Sequence, residues 1–131
     1  MEEKTPNKHT ILLVDDDQFL RDMYSVKFRE HGFEVETAES AQEAFDRVKG
    51  GFAPDIILFD VVMPGLDGYG FLEKLKAENV GSSSIKIALS NQGGDSDIEK
   101  AKSLGASDYL IKANTTPSEV VTRVLQSAGI Q

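Results

Sequence analysis

The sequence contains no cysteine, which excludes a disulfide framework and a thiolate zinc site and suits a reducing compartment. Long apolar runs are missing as well: the longest are strand-sized, far below the roughly 20 residues that a membrane span needs. Met1 to His9 is polar and lacks the apolar centre of a signal peptide. A cytoplasmic protein with a flexible arm over residues 1–9 and no membrane partner is expected. Basic charge is in deficit, with 14 Lys and Arg against 22 Asp and Glu and a formal net charge of -8. Such a surface repels phosphate backbones, so direct binding to nucleic acid is not expected. Nucleotide-binding loops are absent. Gly68-Tyr69-Gly70 lacks the third glycine of a dinucleotide fingerprint, and there is no Gly-Lys-Ser/Thr phosphate loop. No repeat or low-complexity tract interrupts the 131 residues, which suffice for one domain with its own core.

What is present is a strict alternation of strand and helix patterns. Residues 10–14 form a short apolar run that ends in Asp15-Asp16-Asp17. From Gln18 to His31 apolar residues recur at helical spacing, and Gly32 supplies the stop. Asp17 fits the N-cap of that helix. Residues 34–38 alternate polar and apolar as an edge strand does, and Ser40 caps a helix carrying Ala41, Ala44, Phe45 and Val48. Ile56-Ile57-Leu58-Phe59, entered through Pro54 and left through Pro64-Gly65, reads as a strand buried on both faces. A third helix runs from about Tyr69 to Asn79, a fourth strand from Ile85 to Leu89, and a fourth helix with a thin apolar face holds Ile98, Ala101 and Leu104. That thin face predicts mobility. Asp108 to Ile111 is a fifth strand. Thr116-Pro117-Ser118-Glu119 is a capping box with proline at the first helical position, opening a fifth helix. Five strand-helix units demand an α/β fold: a doubly wound parallel sheet with right-handed crossovers and helices on both faces.

In such a sheet the carboxyl ends of the strands share one edge, where ligands bind. Asp15 and Asp16 follow the first strand, Asp60 the third, Ser90 the fourth and Lys112 the fifth. Carboxylates this close repel, by about 4 kcal/mol per pair at 4 Å and an effective dielectric near 20, so the cluster calls for a cation. All-oxygen ligands favour Mg²⁺, Mn²⁺ or Ca²⁺, and a half-filled shell that retains waters suits Mg²⁺ acting with a phosphate. A metal, an ammonium and a hydroxyl around one carboxylate would serve phosphoryl transfer.

Leu12-Leu13-Val14-Asp15-Asp16, Phe59-Asp60 followed by Met63-Pro64-Gly65-Leu66-Asp67-Gly68, Ser90 and Tyr109-Leu110-Ile111-Lys112 together resemble a response-regulator receiver domain of the single-domain type, over about residues 10–128 with a tail at 129–131. The resemblance implies a flavodoxin-like (βα)5 sheet of order 2-1-3-4-5. It implies that Asp60 accepts a phosphoryl group from a histidine kinase or a histidine phosphotransfer protein. Asp16 would bind Mg²⁺, with Mn²⁺ as the alternative, directly, and Asp15 through water. Asp60 and the backbone carbonyl of Val62 would complete the protein ligands. Lys112 would pair with Asp60, Ser90 would hydrogen-bond the phosphoryl oxygen, and Tyr109 would swing inward as Ser90 shifts. The family's target-docking face, on the fourth helix, fifth strand and fifth helix, is expected to carry output, since no output domain follows the fifth helix in this sequence.

Two features depart from a plain transfer of the family's roles. Val62 and Gln92 stand where the family tunes loss of the phosphoryl group; Val62 cannot hold a water, so slow loss is expected. Ala113 follows Lys112 where the family usually has proline and a cis peptide. The greater cost of a non-proline cis bond makes trans the expected form, with the long lysine side chain still reaching Asp60. His9 and His31 are read as surface residues without the setting of a phosphorelay histidine. The competing readings are a pseudo-receiver that is never phosphorylated, against which the complete residue set argues, and an unrelated enzyme or cofactor binder on the same scaffold.

Overall fold

The computed structural model describes residues 8–91 and 93–130. Its order is β1 (Thr10–Val14), α1 (Gln18–Glu30), β2 (Glu34–Ala38), α2 (Ala41–Lys49), β3 (Ile56–Phe59), α3 (Gly68–Glu78), β4 (Ile85–Ser90), α4 (Asp95–Ser103), β5 (Asp108–Ile111) and α5 (Pro117–Ala128), with a 3₁₀ turn at Lys112–Asn114. The strands form one parallel sheet in the order β2-β1-β3-β4-β5. This is the expected flavodoxin-like sheet.

Side chains alternate across the sheet and build two cores. Ile11, Leu13, Ile56, Leu58, Ile87, Leu89 and Leu110 face α1 and α5, which contribute Tyr24, Phe28, Val120, Val121 and Val124. Leu12, Val14, Ile57, Phe59, Ala88 and Tyr109 face α2, α3 and α4, meeting Phe45, Phe71 and Leu75. The β3 residues Ile56, Ile57, Leu58 and Phe59 are buried on both faces, which explains their unbroken apolar run.

Helix ends follow local chemistry. The Asp17 carboxylate accepts from the Leu20 N–H at 3.2 Å, so this acid is occupied as a cap. Ser40 caps α2, and Thr116 and Glu119 form the reciprocal capping box of α5. His31 rather than Gly32 closes α1, while Gly32 takes the left-handed conformation immediately beyond it, at φ 86°. Helix α4 is held differently from α5. It buries only Ala101, whereas α5 buries three valines, each worth about 1.5–3 kcal/mol when fully removed from water. The thin apolar face expected for the fourth helix is thus present.

Register positions the carboxyl edge. Val14 lies beside Phe59, and the Asp60 N–H donates to the Val14 carbonyl at 2.9 Å. Asp15 and Asp60, one residue further on each strand, therefore emerge side by side. On the other flank Ser90 lies beside Ile111, so Lys112 leaves the sheet next to the end of β4.

Candidate functional site

Asp15, Asp16, Asp17, Leu20, Asp60, Val62, Asn91 and Lys112 line a cleft of about 310 Å³ at this edge. Asp15 and Asp60 are 6% and 7% exposed, whereas Asp16 faces solvent. One carboxylate oxygen from each of Asp15, Asp16 and Asp60 falls within a group spanning no more than 4.8 Å. Three anions at that spacing, two of them buried, form an acidic pocket that could bind a metal ion, and their all-oxygen donor set fits a hard dication.

Lys112 supplies the cation within the cluster. Its ammonium donates to Asp15 Oδ2 at 2.9 Å and to Asp60 Oδ2 at 3.3 Å. The reach expected across Ala113 is achieved, and the Lys112–Ala113 bond is trans, as are all peptide bonds among the described residues. Burial raises the Asp60 carboxyl above its usual range, and the neighbouring Asp15 charge adds to the rise. Lys112 and the Val62 N–H, which donates to Asp60 Oδ1 at 3.2 Å, offset it only in part. For Lys112 burial acts to lower the ammonium, but the hydrogen bonds and charges of Asp15 and Asp60 win and hold it above the ordinary lysine value.

The acids have unequal freedom. Both Asp15 carboxylate oxygens are used within the protein, Oδ1 accepting the Asp17 N–H at 2.9 Å and Oδ2 the lysine. Asp15 is a fixed post. Asp60 is held by longer contacts, Oδ1 accepting the Val62 N–H at 3.2 Å and Oδ2 the lysine at 3.3 Å, and it too lines the cleft.

Ser90 is fully buried at the end of β4, and its hydroxyl has no hydrogen-bond partner among the described residues. A buried unpaired hydroxyl is costly and invites a functional explanation. Tyr109 lies on the same face of the sheet, and its ring is already inside at 7% exposure. The inward position that the resemblance assigned to a later state is thus the position found here. Gly93 fits against the ring so closely that a Cβ there would stand 2.6 Å from Tyr109 Cε1. Gln92, expected to tune phosphoryl loss, lies outside the described residues. His9 sits 3.7 Å from Asp55 and His31 contacts the Lys27 carbonyl, both away from the cleft.

Three neighbours of the site went unread in the sequence. Asn91 enters the cleft because it is the first residue past β4 on the same edge, a signal that strand counting could have used. Arg21 bends back from α1 to donate to the Asp15 carbonyl at 2.8 Å. Tyr69 joins α3 to α4: its hydroxyl lies 3.4 Å from both the Asp97 carbonyl and Oδ1, and the Lys100 ammonium sits 4.4 Å above its ring. Burial first, then the Tyr109 phenol and the Asp97 charge, hold the Tyr69 phenol well above the usual tyrosine range.

Comparison with known proteins agrees with this geometry. The model of the response regulator receiver domain family matches residues 11–125. The probable transcriptional regulator ycf27 of Cyanophora paradoxa is 35% identical over 119 residues, which are 90% of this chain and 47% of that protein. The response regulator SaeR of Staphylococcus aureus is 31% identical over 87% of this chain and 48% of its own length. The chain thus spans about half the length of these curated relatives. Among solved structures, a putative response regulator from Chloroflexus aurantiacus superposes with a TM-score of 0.82 at 32% identity, covering 94% of this chain and 99% of that one. The chemotaxis protein CheY4 of Vibrio cholerae gives 0.83 at 25% identity, covering 92% and 98%. The chain belongs to the response regulator receiver domain family of two-component signalling systems. Among the described residues no helix is long and apolar enough to cross a membrane.

Proposed function

We propose that Asp60 is the phosphoacceptor of a Mg²⁺-dependent transfer from a phosphohistidine, borne by a histidine kinase or a phosphotransfer protein, and that the product switches a protein-docking surface. The observation that carries this reading is one buried carboxylate at a cleft, beside a second buried acid and bridged to it by a lysine. Asp60 oxygen attacks phosphorus, the P–N bond breaks, the imidazole leaves and takes a proton, and an acyl phosphate forms. Hydrolysis later returns the carboxylate and phosphate. Asp16 and Asp60 would hold the metal directly, Asp15 through water, with the Val62 carbonyl as a further ligand. The metal supplies charge neutralisation and alignment for the transferring group.

The chain's own residues do the rest. Lys112 bridges Asp15 and Asp60 and would move its charge onto the new phosphoryl oxygens. Ser90 has a hydroxyl without a partner among the described residues, which such an oxygen would satisfy. Tyr109 would report the change to the α4, β5 and α5 face, where a downstream protein docks. Residues 10–128 are the working unit, with 1–9 and 129–131 as flanking segments, acting in the cytoplasm. Neither nucleic acid nor membrane is a direct partner in this scheme. Incubation with acetyl phosphate should add one phosphoryl group to the intact mass in Mg²⁺ and none in EDTA. Equal labelling of Asp60→Asn would overturn the assignment, and no labelling of the wild type in Mg²⁺ would favour the pseudo-receiver.

A further inference from the structure

Asp16 is the member of the acidic group whose position is hardest to explain from its own contacts. Its carboxylate is exposed and makes no hydrogen bond among the described residues, so its direction depends on the two peptide planes that flank it. Both planes are pinned. The plane between Asp16 and Asp17 is held by the Asp17 N–H, which donates to Asp15 Oδ1 at 2.9 Å. The plane between Asp15 and Asp16 is held from the other side by Arg21, whose Nη1 donates to the Asp15 carbonyl at 2.8 Å. The main-chain N–H of Arg21 also donates to the Asp17 carbonyl at 3.0 Å, so one residue of α1 grips the loop on both sides of Asp16.

The placement of this arginine is electrostatically unusual for a helix. A cation near a helix N-terminus opposes the macrodipole, and a carboxylate is the favoured residue there. The first turn of α1 carries no acid. The guanidinium bends back toward Asp15, Asp16 and Asp17, and it does so without lining the cleft that those acids share with Asp60. An arginine serves better than a lysine at such a spot, since its planar fork is preorganised and permanently charged.

We propose that Arg21 is a positioning residue for the cation: by fixing the peptide between Asp15 and Asp16 it aims the Asp16 carboxylate into the cleft. This rests on the reading that Asp15, Asp16 and Asp60 hold Mg²⁺. The proposal opposes two simpler accounts. If Arg21 only ties α1 to β1, its loss lowers stability equally with and without metal. If it acts only through its charge, its loss removes a repulsion and tightens binding of a dication.

The test is calorimetric titration of MgCl₂ into the full chain as wild type, Arg21→Met and Arg21→Lys at one fixed low ionic strength, with thermal melts of each in EDTA and in saturating Mg²⁺. Arg21→Met should bind Mg²⁺ about tenfold more weakly, the loss typical of residues that orient metal ligands, despite the removal of a positive charge. Arg21→Lys should fall between it and wild type, and covers the case in which Arg21→Met does not fold. The Mg²⁺-induced rise in melting temperature should shrink in both variants. Equal or tighter binding in the variants, or equal melting losses in EDTA and Mg²⁺, would overturn the proposal. Absence of Mg²⁺ binding by wild type would instead remove the metal reading on which it stands, and the proposal with it.

Discussion

The Lys112 ammonium lies 2.9 Å from Asp15 and 3.3 Å from Asp60, so Asp15 holds the lysine more closely than the proposed phosphoacceptor does. This asymmetry keeps the charge beside Asp60 while holding Asp60 by the longer of the two contacts. Lys112→Met should therefore leave the acids of the cleft uncompensated. Metal-free stability is expected to drop by about 3 kcal/mol, the lower end for a broken buried pair. Urea unfolding in EDTA measures this, and a loss below about 1 kcal/mol would show that the pair is effectively solvated.

Asp60 gives the opposite sign. Its carboxyl is raised above 3.8 in the fold, so the stability it contributes belongs to its protonated form. That contribution is complete below about pH 4 and is lost as pH rises through the folded value. In EDTA at neutral pH, Asp60→Asn should be more stable than wild type, and the gap should close on acidification toward pH 4. Saturating Mg²⁺ should narrow or reverse the gap, because only wild type keeps the full ligand set. Paired melts across this pH range check the prediction.

Asp108 behaves as an ordinary lowered carboxylate. Burial acts to raise it, but the Ser127 hydroxyl, the Tyr109 N–H and Arg123 outweigh burial and hold it below 3.8. Its stabilisation is present above about pH 4 and disappears as pH falls through the folded value. Asp108→Asn should thus be less stable than wild type at neutral pH, with the difference shrinking in acid. A constant difference across the titration would mean that the contacts between β5 and α5 do not depend on the charge.

Much of this was legible in the sequence and some was not, for physical reasons that particular residues show. Strand ends are readable because Asp15, Asp60, Ser90 and Lys112 each interrupt an apolar run, and parallel topology then places them at one edge. Asp17, Ser40 and Thr116 are readable because a cap acts within three residues of itself. The preference of Lys112 for Asp15, the backward reach of Arg21 and the link from Tyr69 to Asp97 are not readable. Each depends on side-chain directions across separate elements, which periodicity does not encode.

The packing of Gly93 against Tyr109 supplies a test of the proposed switch. A Cβ at this position would stand 2.6 Å from Tyr109 Cε1 and 2.9 Å from Ile111 Cδ1, too close to remain. Gly93→Ala should push the Tyr109 ring outward and destabilise the domain by about 1–3 kcal/mol, as overpacking does. Tyrosine ring chemical shifts should report increased solvent exposure. An unchanged Tyr109 environment would mean that the loop before α4 yields instead of the ring.

The most direct measurement concerns the bond formed at Asp60. After phosphorylation by acetyl phosphate in Mg²⁺, reduction with borohydride converts an aspartyl phosphate to homoserine, which peptide sequencing by mass spectrometry can locate. The account predicts homoserine at the position of Asp60 alone, and its disappearance when EDTA replaces Mg²⁺. An intact Asp60 in chains that have gained phosphate, with the label at Asp15, Asp16, Ser90 or a histidine, would contradict it.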